Sequence, residues 1–397
     1  MKHIFSLASA LLLFSPGLSA AVDSGLDVLI AQNFKPLAGK RIGLIANQTA
    51  VTKDGRPIAD VFATAPGITL AAIFSPEHGF SGSAEGGAHV ADSTDTAHGV
   101  RIYSLYGKTR RPAPETLKGL DALVFDIADV GARFYTYLTT MGYALEAADR
   151  AGLEFFVLDR PNPAGGAIVE GPVLDPAISE FTAYFAVPVR HGFTPGEMAL
   201  FHAAAMKLKT RPRVIVMKGW KRPMFFAETG LRWINPSPNI RNPDAAIMYS
   251  GTGCFEASNL SVGRGTDNPF MWIGAPWFDP EKTIGPVLRE KLDGVEFKKV
   301  TKTPAADLYA GQACPGMELR ITDKNLLRPV ELFVAIACAL RDTGQPVEFR
   351  WSGMKNMTGS TRFEELYKTG ASARDIMADF DRSNRAFVKT RRKYLLY

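Results

Sequence analysis

The chain has 397 residues, 46% hydrophobic and 22% charged, a globular composition with room for two domains that excludes a disordered chain, a fibre or a coiled coil. Three Cys are too few for a disulfide-built scaffold. The net charge of +6 is diluted by 40 Asp and Glu, so it implies no nucleic-acid partner.

Lys2 and His3 precede an apolar run from Ile4 to Phe14, and Pro16, Gly17 and the small residues Ser19, Ala20 and Ala21 follow. This is the order of a cleavable secretory signal peptide over residues 1–21, and the run is too short to span a membrane. It predicts a periplasmic or secreted protein with no stable membrane anchor. Outside the cytoplasm Cys254, Cys314 and Cys338 either form one disulfide with a spare thiol or stay as three buried thiols; the second is favoured. Their spacing matches no zinc pattern.

From residue 41 onward short apolar runs alternate with helical patterns. Strands are expected at 41–46, 69–74, 100–105, 122–127, 155–158 and 214–217, and helices at 58–63, 134–151 and 196–208. Continuous apolar strands between amphipathic helices predict an α/β fold, a mostly parallel sheet covered on both faces. Near residues 265–285 the rhythm changes to helices, at 330–341, 363–367 and 373–393. The predicted organisation is therefore a parallel-sheet α/β domain over 22–270 and a smaller, helix-rich domain over 271–397. The basic tail Lys389, Arg391, Arg392 and Lys393 reads as a solvated helix end.

Ligands of open parallel sheets bind beyond the carboxyl ends of the strands, and five loops there are polar. They are 75–79 (Ser-Pro-Glu-His-Gly), 129–137, 159–163 with Glu170-Gly171-Pro172, 235–239, and 255–259 running into Gly263-Arg264-Gly265-Thr266. Together they would form a sugar-sized site with Tyr135, Tyr137 and Phe255 available to stack on rings. The chain has no G-x-G-x-x-G, no H-E-x-x-H and no G-x-S-x-G. A zinc site from His78, His89 and His98 fits no compact ligand motif and is a minor alternative; no metal or cofactor is expected. Hydrolysis of a glycosidic bond needs an acid for the leaving oxygen and often a second carboxylate. Glu77 follows a buried strand, with His78 beside it to tune or hold substrate. Glu170 is the second candidate, set against a plain salt bridge to Arg160. Asp126 and Asp129 are read as ordering the Arg133 loop, and Glu256 as positioning a sugar.

These same stretches, with Gly43-Leu44 through Asn47-Gln48-Thr49, Leu158 to Pro163 and Pro236 to Asn239, resemble the NamZ exo-β-N-acetylmuramidases, glycoside hydrolase family 171. The motifs run in order over roughly residues 40–280. The resemblance implies a Rossmann-like catalytic domain over 22–270, a smaller α+β auxiliary domain over 271–397, and release of N-acetylmuramic acid from non-reducing ends of peptidoglycan fragments in cell-wall turnover, without a cofactor. It maps the catalytic glutamate onto Glu77, with Glu170 as a weaker second. Substrate contacts are expected from Asn47, His78, Asp129, Arg133, Tyr135, Arg160, Asn162, Asn239, Glu256, Asn259 and Arg264. One of Arg133, Arg160 and Arg264 is expected to meet the lactyl carboxylate. Ala128 departs from the family pattern, which has Gln there. The competing readings are a non-catalytic muropeptide- or sugar-binding periplasmic protein and a metal-dependent amidase or esterase.

Overall fold

The computed structural model describes residues 21–397; the expected signal peptide lies almost wholly outside them. The chain order is α1 (Gly25–Ala31), β1 (Arg41–Ala46), α2 (Ile58–Ala63), β2 (Thr69–Ser75), β3 (Ser93–Asp95), β4 (Val100–Ser104), β5 (Ala122–Asp126), α3 (Thr136–Ala151), β6 (Glu154–Leu158), α4 (Pro195–Ala205) and β7 (Arg213–Ile215). Then come α5 (Pro243–Thr252), β8 (Trp272–Gly274), α6 (Pro280–Arg289), β9 (Val295–Lys299), β10 (Gly316–Ile321), α7 (Pro329–Asp342), α8 (Trp351–Thr358), α9 (Arg362–Lys368) and α10 (Ala373–Arg391).

Seven strands form one sheet in the order β3-β4-β2-β1-β5-β6-β7. All pairings are parallel except that of the edge strand β3. The period of two along each strand divides the buried side chains between two faces. Leu123, Phe125, Phe155 and Val157 pack on the face that carries α3 and α4. Ile42, Leu44, Val124, Phe156 and Leu158 pack on the other, with residues of α1 and α2. Burial on both faces is why these strands are apolar throughout. Without β3, the parallel strands run outward in both directions from the β1–β5 pair, the Rossmann arrangement, in which loops at the carboxyl edge part and leave a crevice.

The expected apolar strands and helices of this half appear within a few residues of their predicted limits. Helix α3 begins at Thr136, not Phe134, because Phe134 and Tyr135 belong to a turn closed by Tyr135 N donating to Ala132 O (2.9 Å). The later half holds an antiparallel sheet, β8-β10-β9, that the sequence hid. β8 has three residues, and β9 is mostly exposed and rich in Lys and Glu, so neither shows a continuous apolar run.

Arg391 is a correction to the solvated tail. It is buried and donates to the carbonyls of Gly166, His191 and Ala167, tying α10 to the first half of the chain; Lys389, Arg392 and Lys393 remain exposed. The three cysteines are free and buried. Among the described residues no helix is long and apolar enough to cross a membrane.

Candidate active site

Glu77 stands two residues beyond β2, at the carboxyl edge of the sheet. Its backbone neighbour His78 has φ +68°, a left-handed conformation uncommon for a residue with a side chain and often found where function holds it. His78 Nδ1 lies 2.6 Å from Ala84 O, so that nitrogen carries a proton and donates. The Glu77 carboxyl is held at both oxygens. Oε1 accepts from Gly87 N (2.9 Å) and Oε2 from Thr136 Oγ1 (2.6 Å). The first turn of α3 thus sits directly against the candidate acid.

Around Glu77 lies a cleft of about 390 Å³, lined also by His78, Tyr106, Tyr135, Tyr249, Glu256 and Arg264. The Tyr106 phenol is pushed up to about 12 by burial and by the neighbouring Glu77 charge, so it stays a hydrogen-bond donor at neutral pH. Arg264 grips Glu256 through Nε and Nη2 (2.8 and 2.6 Å to Oε1) and lies over the Phe270 ring. Asp307 stands 3.8 Å from Arg264 Nε. Residues from both halves of the chain therefore build one cleft.

Of the residues expected from sequence, Glu77, His78, Tyr135, Glu256 and Arg264 meet here. Asn239 is half-buried between Ser237 and Ile240, which line the cleft, but is not itself in the wall. The others are not brought in. Glu170 is buried in an ion pair with Arg190 (2.9 Å), not Arg160, and its second oxygen accepts from Val330 N (3.2 Å) at the start of α7. Arg133 is buried and spends its donors on the carbonyls of Pro172, Val187 and Met357. Arg160 pairs with Asp126 and donates to Val51 O. Asn47 accepts from Thr49, and Asn162 bridges Ala164 N and Phe193 O. Gly131 packs against that turn: φ is +86°, and a Cβ there would come within 2.4 Å of Asn162 Oδ1. Asn259 ties its loop to Pro346 and Glu348. Of the rings expected to stack on sugar, Tyr137 and Phe255 are core residues. His89 lines a different groove, and His98 pairs with Asp95 and Asp60, so the two do not join His78.

Asp129 makes no hydrogen bond or ion pair with Arg133; it accepts from Gly131 N (2.8 Å), and Oδ1 has no hydrogen-bond partner among the described residues. Burial pushes its carboxyl up to about 7. A folded-state pKa above the unfolded value favours folding fully below pH ~4, and that contribution fades as pH rises to about 7. Asp129→Asn is therefore expected to flatten the decline in stability between those values and to raise the melting temperature at pH 8. Thermal melts of both proteins across that range check it; parallel curves would contradict it.

Sequence reasoning passed over Thr136, Tyr106, Tyr249 and Asp307. Thr136 lay inside a quoted motif, next to Tyr135, and its hydroxyl was the available signal; the others carry none locally.

Two family models match the chain in succession, described as the N-terminal part of the exo-beta-N-acetylmuramidase NamZ over residues 42–244 and its C-terminal part over 247–397. The chain belongs to the NamZ family. It is similar to the peptidoglycan beta-N-acetylmuramidase NamZ of Bacillus subtilis (strain 168), with 37% identity over 412 residues covering 100% of both chains. Two crystal structures of DUF1343 family proteins from Bacteroides fragilis NCTC 9343 share its fold. One has a TM-score of 0.89 at 35% identity, the other 0.77 at 28%, and each match covers 95% of this chain and 99% of the neighbour. The NamZ models meet within α5, the helix that leads into the turn carrying Glu256.

Proposed function

We propose that this NamZ family member is an exo-acting glycoside hydrolase that releases N-acetylmuramic acid from the non-reducing ends of peptidoglycan fragments during cell-wall turnover. The observation that carries the reading is Glu77, held by Thr136 and Gly87 in a cleft that Glu256 and Arg264 also line. Glu77 gives its proton to the glycosidic oxygen as the bond breaks. Product analysis on defined muramic acid–glucosamine oligosaccharides tests this; binding without release of free sugar would mark the chain as a sugar-binding protein instead.

Arg264 is the one arginine among the described residues that lines this cleft, and a guanidinium suits the lactyl carboxylate that separates muramic acid from glucosamine. Its Nη1 points toward Gly86, about where a Cβ there would lie 4.0 Å away, leaving a donor free of Glu256. Arg264→Ala is expected to cut the preference for muramic over glucosamine substrates by about 10–100-fold in kcat/KM, the worth of a charged hydrogen bond. An unchanged ratio would remove Arg264 from lactyl recognition.

We also propose export to the periplasm or beyond, supported by the leader-like order of residues 1–21 and by a polymer substrate outside the cytoplasm. N-terminal sequencing of the native protein is expected to begin near Ala21 or Val22; a cytoplasmic form retaining Met1 would sink the idea.

A further inference from the structure

We infer that Glu256 is the second catalytic carboxylate of this site, the base that takes a proton from the water attacking the anomeric carbon. The inference rests on the hydrolase reading above and deepens it.

Three carboxylates other than Glu77 reach the cleft: Glu85, Glu256 and Asp307. Glu85 is exposed on the 79–88 loop, and the Asp307 side chain is 52% exposed. Glu256 alone is anchored. It sits in the turn Gly253–Ala257 that continues α5, whose residues from Ala245 to Thr252 are buried, and Arg350 donates to its backbone carbonyl. Arg264 fixes one carboxylate oxygen with two nitrogens, while Oε2 has no partner among the described residues. That is the form a base needs: an oriented carboxylate with one oxygen open. Burial pushes the Glu256 carboxyl above the usual carboxylate range, and the Arg264 charge beside it opposes that shift. Glu170 offers no open oxygen, since both its oxygens are occupied away from the cleft.

Glu77 and Glu256 line the same cleft and share no hydrogen-bonding partner. With Glu77 as acid and Glu256 as base, the pair works as an inverting glycosidase, in which a water stands between the two carboxyls. In the step, Glu77 protonates the glycosidic oxygen as the bond from that oxygen to C1 breaks. Water bonds to C1 and loses a proton to Glu256 Oε2. One water is consumed, a free sugar and an alcohol form, and the two carboxyls end with their proton exchanged, to be reset by solvent. Arg264 acts on the water only through Glu256 and is there a positioning residue.

The test uses the full mature chain and the muramic acid–glucosamine disaccharide. Proton NMR of wild-type turnover is expected to show the α-anomer of free muramic sugar first; the β-anomer first overturns the assignment. Glu256→Ala should lose about 10²–10⁴-fold in kcat and recover activity in azide with formation of the α-glycosyl azide, which also shows that the variant is folded. A Glu256→Gln enzyme with kcat within tenfold of wild type overturns the proposal. Arg264→Met should move the acidic limb of the pH–rate profile upward, because the carboxylate loses its cation; an unmoved limb removes Arg264 from this role. A wild type that releases no sugar overturns the hydrolase reading itself, whereas an active wild type with an indifferent Glu256 overturns only this step.

Discussion

Glu77→Gln is expected to lower kcat on natural muropeptides by about 10²–10⁴-fold, the usual worth of general acid catalysis, with KM little changed. The geometry makes the substitution a clean one. The amide oxygen can still accept from Gly87 N, and the amide nitrogen can donate to Thr136 Oγ1, where the carboxylate oxygen now accepts. Shape and anchoring persist while the transferable proton is lost. A substrate with a very good leaving group needs little protonation and should recover much of the rate. Steady-state kinetics on both substrates check the pair of expectations. Equal activity of variant and wild type on muropeptides would require the site to be rebuilt around another carboxylate.

The second large effect concerns stability. Glu170 and Arg190 are both buried, and Arg190 also donates to the carbonyls of Ala164 and Leu327. Glu170 accepts from Val330 N in the first turn of α7, an end that has no side-chain cap of its own and whose amide would otherwise lack a partner. Removing one member of a buried pair strands the other charge, at a cost of roughly 3–5 kcal/mol. Glu170→Ala should therefore unfold at markedly lower denaturant. Replacing both residues, as Glu170→Leu with Arg190→Met, should recover much of that loss, because no unpaired charge remains. Glu170→Gln, where folded, should keep kcat close to wild type. Denaturant titrations and kinetics separate the outcomes: full stability with collapsed kcat would restore Glu170 to the chemistry.

The sequence by itself determined the sheet and the place of Glu77 at its carboxyl edge. Strands such as β5 and β6 are apolar at every buried position because helices cover both faces, so they stand out without any tertiary knowledge. Glu77 could be read because it follows such a strand directly, and a residue at the carboxyl edge of a parallel sheet is placed by local order alone. The motif around Arg133 was legible as a motif but not as to purpose. An arginine in a polar loop reads the same whether it meets a ligand or three backbone carbonyls, and here the fold buries it among the carbonyls. Pairings between distant residues were decided only by the tertiary structure. Glu170 found Arg190 and the start of α7 in place of Arg160, and Arg160 found Asp126. The rest of the cleft lining, with Glu256, Arg264 and Asp307, comes from chain far beyond Glu77. A buried charge takes whichever partner the packing sets beside it, and no pattern of spacing along the chain carries that information.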